Sequence, residues 1–331
     1  MPIQLYYPFE KLNFDPETCC LTGEMLASAE QAITVFPQWI LERYSLQDKK
    51  FTLMDQITSF RYQDLKVPCS ENVIENALGP LEKEIQNAFE GGYDKVITVS
   101  EERLFQWMAR LVFGVLYNDL VAEKKRAAKR QTEFKLSKLL LKRFSQLHLM
   151  LQSLVVPMDF SAIKPWSIYV FKSKISKDIF NYKDEPTNLN FSLEMNDFAI
   201  VACLQDNGAV GMNQQEIVKK FSGKTLHPVQ VEEIFARFIY SNYLLKKVPE
   251  YNIKFGEDRI MIESIPFAVS ENDPLFAPWD DDMFAQVLAD YWKPWGLTKK
   301  DIYEFPNSPI SYLENEFTHK IIEPDSITLP F

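Results

Sequence analysis

Cys20-Leu21-Thr22-Gly23 and Cys69-Ser70-Glu71-Asn72 each open with a thiol at the spacing of a metal-binding knuckle, in which a second cysteine three positions on would complete the pair. Four thiolates so arranged close a tetrahedral zinc site. Here Gly23 and Asn72 stand in the second positions, so Cys20 and Cys69 are left where four ligands belong. Two thiolates make a poor zinc site, and unpaired cysteines usually sit buried as small hydrophobes. Cys20 and Cys69 are therefore read as vestigial metal positions, with no metal and no cofactor expected.

Other residues extend the pattern. Val35-Phe36-Pro37-Gln38-Trp39 follows the first thiol, and Leu78-Gly79-Pro80-Leu81-Glu82-Lys83 follows the second. Together these fragments, within residues 18 to 90, resemble the opening of HNH-type endonucleases. In one branch of that family the general-base histidine lies in a segment reading Glu-His-Val-Phe-Pro-x-Trp, and the second knuckle begins a helix ending in Leu-Glu. The resemblance implies a treble-clef-like module with a catalytic metal and a histidine that activates water. Ile33-Thr34 stands where Glu-His would be, and no histidine precedes His148. A threonine is no general base near neutral pH, so no catalytic residue is expected. Looser echoes follow around Trp107-Met108-Ala109-Arg110 and in Phe191 to Ala202.

The remaining chemistry is sparse. His148, His227 and His319 are far apart and form no metal-binding spacing. His227 precedes Pro228 at a helix start, where a capping role is expected. Asp280-Asp281-Asp282 could hold Mg²⁺, but its place just before a helix favours a cap with acids in the first turn. There is no Walker loop, no G-x-G-x-x-G and no G-x-S-x-G, and ten glycines leave few places for a phosphate cradle.

The strongest remaining signal is charge. The chain carries a formal charge of −10, which on average repels a phosphate backbone. Yet Lys124, Lys125, Arg126, Lys129, Arg130, Lys135, Lys138, Lys142 and Arg143 face a single acid, Glu133, within one window. A solvated helix face accounts for such a stripe, and so does a docking site for an acidic protein surface or for nucleic acid. The protein partner is the leading expectation and nucleic acid the alternative.

These residues must be positioned by a chain of 331 residues, long enough to bury a core unaided. Four irregularly spaced cysteines point to a reducing, cytoplasmic compartment rather than a disulfide framework. Met1 to Tyr7 lacks a basic start and a long apolar run, so neither a secretory signal nor a membrane span is expected. The first 65 residues are irregular, with short helices expected within Glu24–Tyr44 and short strands at Phe51–Met54 and Ser59–Tyr62. From Ser70, Val73, Ala77, Leu81, Ile85 and Phe89 recur four apart as a helix. Leu104 to Leu120 reads as a buried helix, and Glu123 to Leu154 as a separate basic helix. Beyond Pro165, strands are expected at Trp166–Phe171, Leu189–Leu193 and Phe198–Leu204, with turns at Asn181–Thr187 and Glu194–Asp197. Helices over Asn213–Phe221 and His227–Leu245, a strand over Asp258–Ile265 and a helix over Asp281–Tyr291 follow.

The expectation is thus an α+β protein with two domains. Residues 1–95 would form the treble-clef-like module. Residues 96–331 would be helical over 99–156, with a small antiparallel sheet and helices over 165–331. Its function is expected to be non-catalytic interaction, with a divergent nuclease or nucleic-acid-binding protein as the alternative.

Overall fold

A computed structural model describes residues 3–12, 14–270, 272–315 and 318–329. The chain passes back and forth between two compact units. Met1–Ala88, Val99–Ser161 and Asn252–Glu263 form the first, and Phe89–Thr98, Ala162–Tyr251 and Ser264–Phe331 the second.

The first passage contains β1 (Ala32–Thr34), α1 (Gln38–Arg43), β2 (Lys50–Thr52), β3 (Ser59–Arg61), β4 (Lys66–Pro68), α2 (Glu71–Val73) and α3 (Gly79–Glu90). One π-helical turn, Ile74–Leu78, joins the last two. β1 pairs antiparallel with β4, Ala32 opposite Pro68, and β2 with β3, Phe51 opposite Phe60. After α4 (Tyr93–Val96) comes α5 (Glu101–Lys129), capped by Ser100, whose hydroxyl accepts from the Arg103 N–H at 3.3 Å. Leu104 to Leu120 is buried on nearly every side of α5, as a helix apolar all round must be. At Gly114 an added Cβ would lie 2.8 Å from the Val35 side chain, so glycine permits the close approach.

Two expectations change here. The basic window is not one helix, because α5 ends at Lys129 and α6 runs over Lys138–Leu151. Gln131 takes a left-handed φ of 56° and breaks the ladder, and the Ser137 hydroxyl restarts it by accepting from the Leu140 N–H at 3.2 Å. Nor do contacts divide the chain near residue 95. α5 packs on β4, and Arg110 Nη2 donates to the Thr34 carbonyl at 3.1 Å, binding residues 99–161 to the amino-terminal segment.

β5 (Met158–Phe160) closes this part of the first unit. The second unit then forms a sheet from β6 (Ser167–Ser173), β7 (Phe180–Glu185), β8 (Asn190–Met195) and β9 (Phe198–Cys203). The stretch expected as a turn at Asn181–Thr187 is mostly the strand β7, stabilised by pairing with β8 despite its turn-like composition. After α7 (Ala209–Asn213) and α8 (Gln215–Phe221), β10 (Thr225–Leu226) adds to β6 in parallel, giving the order β10-β6-β9-β8-β7. α9 (Pro228–Leu244) covers this sheet, and its Ile234, Phe235 and Phe238 join Phe171 and Val201 in one core. His227 caps α9, its Nδ1 accepting from the Val229 N–H at 3.1 Å.

β11 (Tyr251–Phe255) and β12 (Ile260–Ser264) return to the first unit, where β12 pairs parallel with β5. α10 (Asp281–Trp292) and α11 (Lys299–Ile302) complete the second unit. Asp280 caps α10 by accepting from the Met283 N–H at 3.0 Å, which is the capping role its position suggests. The fold is α+β, with small mixed sheets rather than a purely antiparallel one. No described helix is long and apolar enough to cross a membrane.

Candidate functional site

The amino-terminal segment builds a tight turn from its cysteines. The Gly23 N–H donates to the Cys19 carbonyl at 2.9 Å, and the Cys20 N–H to the Pro68 carbonyl at 2.9 Å. Gly23 has φ +72°, and a Cβ there would lie 2.4 Å from the Tyr6 ring. Only glycine turns the chain this way so close to an aromatic face. The turn, the β1–β4 ribbon and the helix begun at Glu71 then follow in order.

This pairing decides which thiols meet. Cys19, not Cys20, hydrogen-bonds the thiol of Cys69. That bond, the Thr22 hydroxyl and the N–H groups of Ser70 and Leu21 pull the Cys19 thiol well below its ordinary value against the opposing effect of burial. The same bond and burial push Cys69 up. Cys20 is buried, and burial raises its thiol too. Thr22 and Asn72 thus stand three residues after the two thiols that meet. A hydroxyl and an amide do not complete a zinc site, and no group of three or more His, Cys, Asp or Glu among the described residues could hold a metal ion.

The residues that carry the HNH resemblance converge elsewhere. Trp39 and Trp107 both donate their indole N–H to Glu82 Oε2, each at 3.3 Å. Glu82 Oε1 lies 2.6 Å from Arg110 Nη1 in an ion pair whose side chains are 18% and 8% exposed. Arg110 also holds the Thr34 carbonyl. These four side chains clamp α3, α5, α1 and the end of β1 together, which is a structural task. His148 is buried on α6, its Nε2 donating to the Cys20 carbonyl at 2.7 Å. Burial lowers its basicity to about 4, so it is neutral at physiological pH.

Beside this centre lies a groove of about 880 Å³. Phe14, Pro16, Ala32, Tyr117 and Val121 contribute apolar surface, and Lys66, Lys124 and Lys125 bring cations to its lining. Asp15 and Glu30 are the acids that line it. The groove gathers residues remote in sequence, which is why Lys66 and Phe14 escaped a reading based on local windows.

The basic residues divide accordingly. Lys124 and Lys125 are exposed and line the groove, Lys124 also donating to the Leu12 carbonyl at 3.2 Å. Arg126 is taken up by Asp55 and Glu123. Lys129 and Arg130 are exposed at the end of α5, Lys135 pairs with Glu133 in the connection, and Lys138 is exposed at the start of α6. Arg143 is buried, outside any charged face. The stripe therefore contracts to two lysines on a groove and a short exposed extension.

No family model matches the chain, and neither a curated protein nor a solved structure matches it at a significant level.

Proposed function

We propose that this protein is a non-catalytic interaction protein whose docking surface is the groove along α5, and that its partner is an acidic, amphipathic protein segment. The observation that carries this reading is the coincidence of apolar lining with Lys66, Lys124 and Lys125 in one groove. An amphipathic helix laid there would bury its apolar face, as groove-binding helices do, and set its carboxylates against the α5 lysines. Lys129 and Arg130 extend the same charge along the helix end. The amino-terminal turn, ribbon and helix serve as scaffold, held by the Glu82–Arg110 ion pair. Four irregularly spaced cysteines suit a reducing, cytoplasmic setting.

Fluorescence anisotropy tests this with two labelled probes, a Leu/Glu-rich amphipathic peptide and a single-stranded oligonucleotide. The peptide should bind saturably, and the Lys124→Glu/Lys125→Glu double variant should abolish that binding. Preference for the oligonucleotide, with affinity falling steeply between low and moderate salt, would replace the reading with nucleic-acid binding. Binding of neither probe by folded protein would overturn it.

A further inference from the structure

The second unit buries a polar stripe where a core should be. On β7 and β8 the facing pairs are Asn181 with Glu194, Lys183 with Ser192 and Glu185 with Asn190. Alternation puts these residues on one face of the sheet. Glu194 is fully buried, and its carboxyl accepts from the Ser173 hydroxyl. Glu232 on α9 is 3% exposed, and its Oε1 receives the Lys183 ammonium and, at 2.8 Å, the Asn181 amide. The same amide nitrogen lies 3.4 Å from Glu194 Oε2, so the two carboxyls share one donor.

The donors are too few. Glu232 Oε2 is sealed from solvent with no hydrogen-bond partner among the described residues. A buried carboxylate oxygen left in this state is costly, and native proteins seldom tolerate it without a reason. Glu232 also lines an open cavity of about 380 Å³, together with Glu194, Lys183 and Asn181. Ile179, Pro294 and Trp295 supply apolar and aromatic walls. The size falls within the range of small-molecule sites.

From this geometry we infer a binding site for a small organic cation, a primary ammonium group carried on an apolar body. The ammonium supplies the donor that Glu232 Oε2 lacks once the side chain turns that oxygen toward the cavity, and the body lies against Ile179, Pro294 and Trp295. Charge balance favours a cation over an anion or a neutral ligand. Lys183 provides one positive charge for two carboxyls, and an aromatic wall adds attraction for a cation. Burial, and then the neighbouring Glu232, hold the Glu194 carboxyl up at about 7 against the hydrogen bonds of Ser173 and Asn181 and the charge of Lys183. A bound ammonium opposes that rise, so binding expels a proton from Glu194 near neutrality and strengthens with pH.

Isothermal titration of the full chain with 2-phenylethylammonium, against 2-phenylethanol as its neutral counterpart, tests the site at pH 6 and pH 8. The ammonium should bind at one saturable site, roughly tenfold or more tighter than the alcohol, and more tightly at pH 8. Heats in buffers of different ionisation enthalpy should show proton release. Glu232→Gln and Trp295→Ala should each weaken binding while keeping a cooperative melt. The wild-type comparison decides the question even if either variant fails to fold. Equal binding of ammonium and alcohol, or no saturable heat from the ammonium, would overturn the inference.

Discussion

Two glutamates, one half-buried and one buried, show how differently the molecule treats the same group. Glu82, in the first unit, has a partner for each oxygen: two indoles on Oε2 and the Arg110 guanidinium on Oε1. Glu232, in the second, has Oε1 crowded by Lys183 and Asn181 while Oε2 has none. A carboxylate matched on both oxygens holds elements together and has nothing left to offer a ligand. One matched on a single oxygen beside a cavity is incomplete until something enters.

The largest expected effect follows from the matched centre. Arg110→Ala strands a buried carboxylate and should cost about 3–5 kcal/mol in urea unfolding. Glu232→Gln keeps its shape and leaves only the partly exposed Lys183 without its ion pair, so it should cost about 1–2 kcal/mol at most. Equal costs would erase the distinction.

The next effect is pH dependence. Glu194 titrates at about 7 in the folded chain against an ordinary 4.5. Between those values the folded chain keeps a proton that the unfolded chain has released. Its contribution is therefore full below pH 4.5 and lost as pH rises through 7. Asp206 and Asp119, both raised to about 6 by burial, act in the same direction. His148 acts oppositely. Lowered from 6.5 to about 4, it contributes above pH 6.5 and fails as pH falls through 4. Glu194→Gln should thus flatten the loss of stability between pH 5 and 8, by on the order of 3 kcal/mol. His148→Gln should remove the opposing rise between pH 4 and 6.5 and leave the curve above pH 6.5 unchanged. Chemical denaturation across pH separates the two.

A smaller effect sharpens the reading of the first unit. Dialysis against a chelator should leave its melting temperature unchanged, and elemental mass spectrometry of reduced protein should find zinc well below one ion per chain. Stoichiometric zinc would mean that Cys19 and Cys69 are ligands rather than a thiol pair. The smallest expected effect is on stability when Lys124 and Lys125 are changed to Glu, within about 0.5 kcal/mol, while peptide binding disappears. A large loss of stability would make those lysines structural.

Legibility in the sequence followed the physics of each element. The alternation Asn190-Phe191-Ser192-Leu193-Glu194-Met195 announced a strand but not its surroundings. A polar face ordinarily meets water, whereas here both faces are buried. α9 was readable as a helix over His227–Leu245 but its burial was not, because Gln230, Glu232, Glu233, Ser241 and Asn242 are buried along with its apolar residues. The caps at His227 and Asp280 were readable because Pro228 and a following helical period mark those starts. The break after Lys129 was not, since Gln131 turns left-handed without a glycine or proline to signal it. Nor could spacing distinguish Cys19 from Cys20. Strand pairing chose between adjacent thiols, and pairing is a long-range event.

The interleaving of the two units has a consequence for biosynthesis. β5 ends at Phe160, yet its parallel partner β12 begins at Ile260. At ribosomal speeds of about 5–20 residues per second, β12 emerges roughly 5–20 s after β5. During that interval the nascent first unit has a missing strand and an open, apolar edge at Met158 and Phe160, the kind of edge that invites mispairing. The other unit is being translated meanwhile. A chaperone that shields this edge until the β11–β12 hairpin arrives would govern the yield of native protein, and a ribosome stalled before residue 260 would release a chain unable to finish either unit.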